Sequence, residues 1–193
     1  MSYLAALTGS LRRASYSTAI LRALQIELAG SVQLEILSPR LPLYDDDEQG
    51  AEALQAVRDF RERLAAAAGL VICTPEYSHG IPGVLKNALD WVSRPSGQSV
   101  LRDKPSLIIS NSPAFTGGVR AQAQLNETLL AMHARVVAGK QIVIGGVADK
   151  FRDGLIINAA DLSIAKSAVE RLAQACAALE SAPQTPRFAG VQS

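Results

Sequence analysis

The sequence is poor in the side chains that most often carry chemistry. Two histidines, His79 and His133, and two well-separated cysteines, Cys73 and Cys176, are all that 193 residues offer as imidazole or thiolate ligands. They supply no metal-ligand spacing, so no metal site is expected. No G-x-S-x-G elbow occurs, which argues against a serine hydrolase. The dinucleotide fingerprint G-x-G-x-x-G and the phosphate loop G-x-x-x-x-G-K-[ST] are both missing, and the second apolar run ends in Ser38-Pro39 with no acid to hold a ribose. A Rossmann dehydrogenase and a P-loop nucleotidase are both disfavoured.

Excess charge is also lacking. Nineteen basic and eighteen acidic residues leave a formal net charge of +1, so no global field draws nucleic acid or an anionic membrane. Any anion must be captured locally. No apolar run approaches the length needed to insert in a bilayer. The N-terminus "MSYLAALTGSLRR" places its basic residues after a short apolar run, the reverse of a secretory signal, and a cytoplasmic location is expected. Cys73 lies in an apolar run and Cys176 on a helical stripe, where cysteine behaves as a small buried hydrophobe; no disulfide is expected.

What remains is the profile of a globular domain, 48% apolar and 19% charged. One domain is read over residues 1–182, with a flexible tail at 183–193. Aliphatic runs fall at 3–7, 32–37, 70–73, 107–109 and 136–144, with amphipathic stretches between them. That alternation predicts an α/β fold, a parallel sheet with helices on both faces. Ile20, Leu21, Leu24 and Leu28 mark one helix. Leu54, Val57, Arg61 and Leu64, widened by Ala53 and Phe60, mark a second. Leu162, Ala165, Val169, Leu172, Cys176 and Leu179 trace a third over five turns. The segment "SPRLPLYDDDEQG" predicts an ordered loop whose acidic turn, Asp45 to Glu48, precedes the positive end of the next helix.

In an open parallel sheet, ligands sit beyond the carboxyl ends of the strands, so the residues just after each strand are informative. After the first strand, "TGSLRRASYS" carries hydroxyls at Thr8, Ser10, Ser15 and Ser17 with cations at Arg12 and Arg13, leading into a helix. Helix N-termini attract phosphate, and hydroxyls with a guanidinium complete the shell. The loop reads as a monophosphate cradle, with simple capping by Ser15 or Ser17 as the plainer reading. After the third strand, "TPEYSHG" offers Pro75, Glu76, Tyr77, Ser78 and Gly80. A planar heterocycle could rest there against Tyr77, near backbone N–H groups and the Ser78 hydroxyl; Tyr77 as a half-buried aromatic is the alternative. Glu76 could hold a ring-edge N–H or pair with an arginine across a subunit contact, and His79 reads as an ordinary surface residue. After the fourth strand, "SNSPAFTGG" adds Ser112 and a tight turn at Gly117-Gly118. No residue is singled out as a catalytic acid or nucleophile, so the chemistry is expected to come from a cofactor.

Taken together, "GSLRRASYS", "PEYSHGIPGVLKNALDW" and "SPAFTGGVRAQ" resemble the NAD(P)H-dependent FMN reductase family, whose members include quinone, azo-dye and chromate reductases. The likeness runs from Leu4 to about Leu179. It implies a flavodoxin-like three-layer sandwich, a five-stranded parallel sheet in the order 2-1-3-4-5. Noncovalent FMN is implied, its phosphate near Ser10, Arg12, Ser15 and Ser17, and its ring near Pro75, Glu76, Tyr77, Ser78, Gly80, Ser112 and Gly117. Many relatives carry asparagine at the positions of Ser17 and Ser78. The implied function is ping-pong transfer of two electrons from NADPH or NADH through FMN to a quinone, flavin or azo compound, in a homodimer or homotetramer. A flavodoxin-type electron carrier or a flavin-binding sensor without NAD(P)H oxidation is the rival.

Overall fold

The structure, a computed structural model, describes residues 3–48, 55–152, 154–156 and 158–181. Within these, β1 (Leu4–Thr8), β2 (Leu34–Leu37), β3 (Gly69–Pro75) and β4 (Pro105–Asn111) alternate with α1 (Tyr16–Glu27), α2 (Gln55–Ala66), α3 (Gly83–Ser93) and α4 (Val119–Ala131). Two short strands, β5 (Arg135–Val136) and β6 (Ile142–Ile144), precede a two-stranded antiparallel ribbon, β7 (Phe151–Arg152) with β8 (Leu155–Ile156), and the long helix α5 (Ala159–Ser181).

The main sheet is parallel, in the order β2-β1-β3-β4-β5, with β6 also on β4. The fifth position is therefore filled twice. β5 pairs with Pro105 and Ser106, while β6 pairs with Ile109 to Asn111 farther along the same edge. The sequence predicts one run over 136–144; the chain instead leaves the ladder around Gly139, whose φ of +150° a side-chain-bearing residue rarely adopts. It re-enters at Ile142.

Side chains alternate across the sheet with a period of two. In β1, Ala5 and Leu7 join α2, α3 and α4 in one apolar layer, and Leu4 and Ala6 join α1 and α5 in the other. β3 divides likewise, Leu70 and Ile72 from Val71 and Cys73. Continuous aliphatic runs, buried on both faces, are what the two layers require. Each fully buried leucine, Leu7 or Leu85 for example, contributes roughly 1.5–3 kcal/mol by leaving water.

The α5 stripe is observed, with Ala165, Ala168, Val169, Leu172 and Cys176 buried, but its last member, Leu179, is 40% exposed. Ala53 and Leu54, the helix entry behind the acidic turn, and the tail at 183–193 lie outside the described residues. The segment before them is pinned. Pro42 O accepts from Asn87 Nδ2 at 2.8 Å and from Trp91 Nε1 at 3.0 Å, and Tyr44 N donates to Asn87 Oδ1 at 2.7 Å.

Both cysteines are free and buried. Burial pushes the Cys73 thiol from 9.0 up to about 12, against the smaller opposing pull of its hydrogen-bonding neighbours Ser17 and Asn111. The folded state thus holds this proton more firmly than the unfolded chain does. Its stabilising effect is complete below the ordinary thiol value and is lost as pH rises toward about 12. In urea titrations the protein should lose about 1 kcal/mol per pH unit from this group above pH ~9. Cys73→Ala should show a shallower alkaline decline than the parent; identical slopes would overturn the assignment.

Candidate active site

The chain reverses its winding at β1 and β3. From β1 it passes through α1 on one face to β2, and from there through α2 on the other face to β3. The loops leaving β1 and β3 therefore part, opening a crevice at the sheet's carboxyl edge. At its floor Gly9 N donates to Cys73 O at 2.8 Å. A Cβ on Gly9 would meet Thr74 Oγ1 at 2.4 Å, so this approach requires glycine.

In the first loop, Ser10 and Ser15 are buried and Arg12 is exposed. Ser15 is the N-cap of α1, its side chain accepting from Thr18 N at 3.2 Å. The capping reading and the anion reading are compatible. Among the described residues, the N–H groups of Tyr16 and Ser17, the first two of the helix, have no acceptor. Ser10 Oγ accepts from Arg12 N at 3.2 Å and lies 3.3 Å from Tyr77 Oη, which joins the first and second loops. Arg12 folds back to donate to Ala14 O from Nε at 3.1 Å and Nη2 at 2.7 Å. Ser17 turns inward instead. It is 1% exposed, and its hydroxyl accepts from Asn111 Nδ2 at 2.7 Å.

In the second loop, Tyr77 and Gly80 exchange two backbone hydrogen bonds of 3.0 Å around Ser78 and His79, whose φ values are 48° and 67°. Positive φ at both central positions is the geometry of a type I′ turn, costing about 1 kcal/mol or more at each residue that is not glycine. The turn leaves the N–H groups of Ser78 and His79 without an acceptor among the described residues. Pro75 ends β3, and Tyr77 stands 50% exposed beside the crevice. Gly80 lies against Gln124, whose Oε1 accepts from Ile81 N at 2.7 Å.

Glu76 is held by its own chain. Oε2 accepts from Arg120 N at 3.0 Å and Ala121 N at 3.2 Å, and Oε1 lies 3.7 Å from Arg120 Nη1 and 3.6 Å from His79 Nδ1. The carboxylate caps α4 and lies beside the Arg120 guanidinium of its own chain. In the third loop, the Ser112 hydroxyl accepts from Ala114 N at 3.1 Å, while Gly117 and Gly118, with φ of 61° and 88°, turn the chain into α4.

The loops at this edge carry Ser10, Arg12, Ser15, Pro75, Glu76, Tyr77, Ser78, Gly80, Ser112 and Gly117, with direct contacts joining Ser10 to Tyr77 and Glu76 to α4, and Ser17 turned inward. Sequence reasoning missed Asn111, Thr74 and Gln124. The first two are buried polar residues closing apolar strands, which is a usable signal; Gln124 has none, being one ordinary polar helical residue. Among the described residues no cluster of three or more His, Cys, Asp or Glu could hold a metal. The hydroxyls and unpaired N–H groups beside a helix N-terminus suit a phosphate, and the Tyr77 turn suits a flat ring.

Comparison with known proteins matches residues 3–149 to the family model described as NADPH-dependent FMN reductase. The chain is 35% identical to a quinone reductase of Pseudomonas putida over 155 residues, covering 80% of this chain and 83% of the relative. It is 40% identical to a quinone reductase of Escherichia coli K12 over 144 residues, 73% of this chain and 76% of the relative. Among solved structures it is similar to FerB, a flavoenzyme NAD(P)H:(acceptor) oxidoreductase from Paracoccus denitrificans, with a TM-score of 0.81 and 27% identity over 92% of this chain and 98% of that one.

Glu76→Ala should remove the cap of α4 and leave two N–H groups without it. A loss of about 1–2 kcal/mol in urea unfolding is expected, with faster amide exchange at Arg120 and Ala121. Glu76→Gln, which retains an acceptor oxygen, should lose less. Unaltered exchange in the alanine variant would remove Glu76 from this role.

Proposed function

The chain belongs to the NADPH-dependent FMN reductase family and is an FMN-dependent NAD(P)H oxidoreductase, and from that premise we propose that two electrons pass from the nicotinamide to a quinone or similar small acceptor at the crevice above β1, β3 and β4. The observation that carries the reading is the junction of the loops, Ser10 with Tyr77 and Glu76 with α4. The quinone reductases of Pseudomonas putida and Escherichia coli support the acceptor class.

When bound, FMN supplies the two-electron chemistry that the side chains lack. The Ser10 and Ser15 hydroxyls and the Tyr16 and Ser17 N–H groups hold its phosphate. Arg12 adds its charge once it swings from Ala14 O, and the Ser17 hydroxyl, taken by Asn111, acts from below by fixing the loop. Pro75, Glu76, Tyr77, Ser78 and Gly80 wall the ring, while Ser112 and Gly117 shape the neighbouring turn. The Ser78 and His79 N–H groups, fixed by the turn before any substrate arrives, aim donors where negative charge would collect. Positioning then does the remaining work: the nicotinamide and the acceptor occupy the same open side of the crevice in succession, which makes the kinetics ping-pong.

No helix among the described residues is long and apolar enough to cross a membrane. The free, buried cysteines support the cytoplasm as the location. Exposed Leu43, Phe115 and Leu130 support assembly into a homodimer or homotetramer.

Arg12→Ala should weaken FMN binding roughly tenfold, the low end for a charge-assisted contact because the side chain is exposed. Titration by flavin fluorescence tests this, and unchanged affinity would refute the phosphate assignment. With NADPH or NADH and a quinone varied together, parallel double-reciprocal lines are expected. Intersecting lines would mean a ternary complex and end the ping-pong reading.

A further inference from the structure

Beside the first loop lies a cavity of about 300 Å³ lined by Arg12, Arg13, Tyr16, Arg22 and Phe151 among others. No residue of the Tyr77 turn lines it. Ser15, Ala19 and Arg22 share one face of α1, which brings the third arginine to the same opening as the two in the loop. Among the described residues, no carboxylate pairs with Arg12, Arg13 or Arg22, and no acidic residue lines the cavity. Nearby Asp161 is taken by Lys150 at 2.5 Å. In a chain of net charge +1, three guanidinium groups on one cavity, with no carboxylate partner among the described residues, form a local positive field.

The cavity also has an aromatic side. The Tyr16 and Phe151 rings lie 5.2 Å apart at 52°, and Arg12 Cζ is 5.5 Å from the Tyr16 ring centroid. Guanidinium forks select phosphate oxygens, and aromatic faces select a flat ring. The volume suits one phosphate with its ring and sugar better than a whole dinucleotide. Neither Arg13 nor Arg22 is among the residues assigned above to FMN.

We propose that this cavity binds the adenosine 2′-phosphate end of NADPH, with Arg13 and Arg22 on the phosphate and Tyr16 and Phe151 beside the adenine. The inference rests on the reading of the chain as an NAD(P)H oxidoreductase. It makes NADPH the preferred donor and assigns the preference to α1 and the β7–β8 ribbon, outside the crevice. Arg12, Ser15 and Tyr16, assigned above to the FMN phosphate, also line this cavity, so the two anions adjoin.

The test is calorimetric titration of the FMN-loaded protein with 2′,5′-ADP and with 5′-AMP. Binding of 2′,5′-ADP should be at least about tenfold tighter than that of 5′-AMP, and Arg13→Ala and Arg22→Ala should each weaken it about tenfold. Both side chains are exposed, so folding is not at stake. The NADPH-to-NADH ratio of kcat/KM should fall about tenfold in Arg22→Ala. Absence of 2′,5′-ADP binding, equal binding to the double variant, or release of FMN by 2′,5′-ADP would overturn the proposal. A protein that oxidises both nicotinamides equally and ignores 2′,5′-ADP loses the cavity assignment and keeps the reductase function. One that binds 2′,5′-ADP through Arg22 yet oxidises neither nicotinamide retains a phosphonucleotide cavity and loses the reductase reading.

Discussion

The carboxylate of Glu76 sits on the first turn of α4, and the geometry of the carboxyl edge follows from that contact. A helix N-terminus needs acceptors for its first N–H groups, and the usual source is the N-cap side chain. Here the N-cap is Gly118, whose φ of 88° a side-chain-bearing residue rarely adopts and where a Cβ would fall a tight 3.2 Å from Ser110 Cβ; a Cβ on Gly117 would fall 2.3 Å from Val143 Cγ1. The acceptor must come from elsewhere. Glu76, 44 positions earlier in the chain, supplies it and thereby locks the loop after β3 to the loop after β4. The strained Ser78–His79 turn persists because Tyr77 and Gly80 clasp it and Gln124, also on α4, holds Ile81 N.

Beneath this frame runs a set of buried polar contacts. Asn111, 1% exposed, donates to Ser17 Oγ at 2.7 Å and to Thr74 O at 3.3 Å, tying α1 to the ends of β3 and β4. Thr8 and Thr18 meet at 3.0 Å and bind β1 to the same helix. Buried polar groups are tolerated when their partners are present and costly when they are not, so this arrangement holds the loops in one register. The inward turn of Ser17 belongs to it. A hydroxyl is short enough to remain below the cradle, where an amide of greater reach would extend into it.

What was legible in the sequence is what short-range pattern controls. Apolar runs buried on both faces located four strands, and the stripe on α5 located its helix, because period and burial are local properties of the chain. The loops after β1, β3 and β4 were legible for a topological reason, since a parallel sheet directs them all to one edge. The split between β5 and β6 was hidden by a continuous run from 136 to 144, in which only Gly139 and its polar neighbours hint at a break. The role of Glu76 was hidden because its partners lie 44 and 45 positions away and are backbone N–H groups, which leave no mark in a sequence. Ser17 and Ser15 read alike as hydroxyls near a helix start, yet one step of the helix separates a cap from a buried strut.

The composition explains why such a site needs so rigid a frame. Among the described residues no cluster of His, Cys, Asp or Glu could hold a metal and both histidines are exposed, so what the crevice offers a reaction is fixed dipoles and flat surfaces. Fixed dipoles help only if they need not reorganise when charge develops. The Ser78 and His79 N–H groups meet that condition because two backbone bonds and the α4 clamp hold the turn. Tyr77 and Phe115, 50% and 92% exposed, supply apolar area at the same edge, and exposed rings gain free energy when a flat molecule or another protein surface covers them. The strain at the turn is thus balanced by the cap on α4, and the exposed rings leave that edge with surface free energy that only a bound partner can recover.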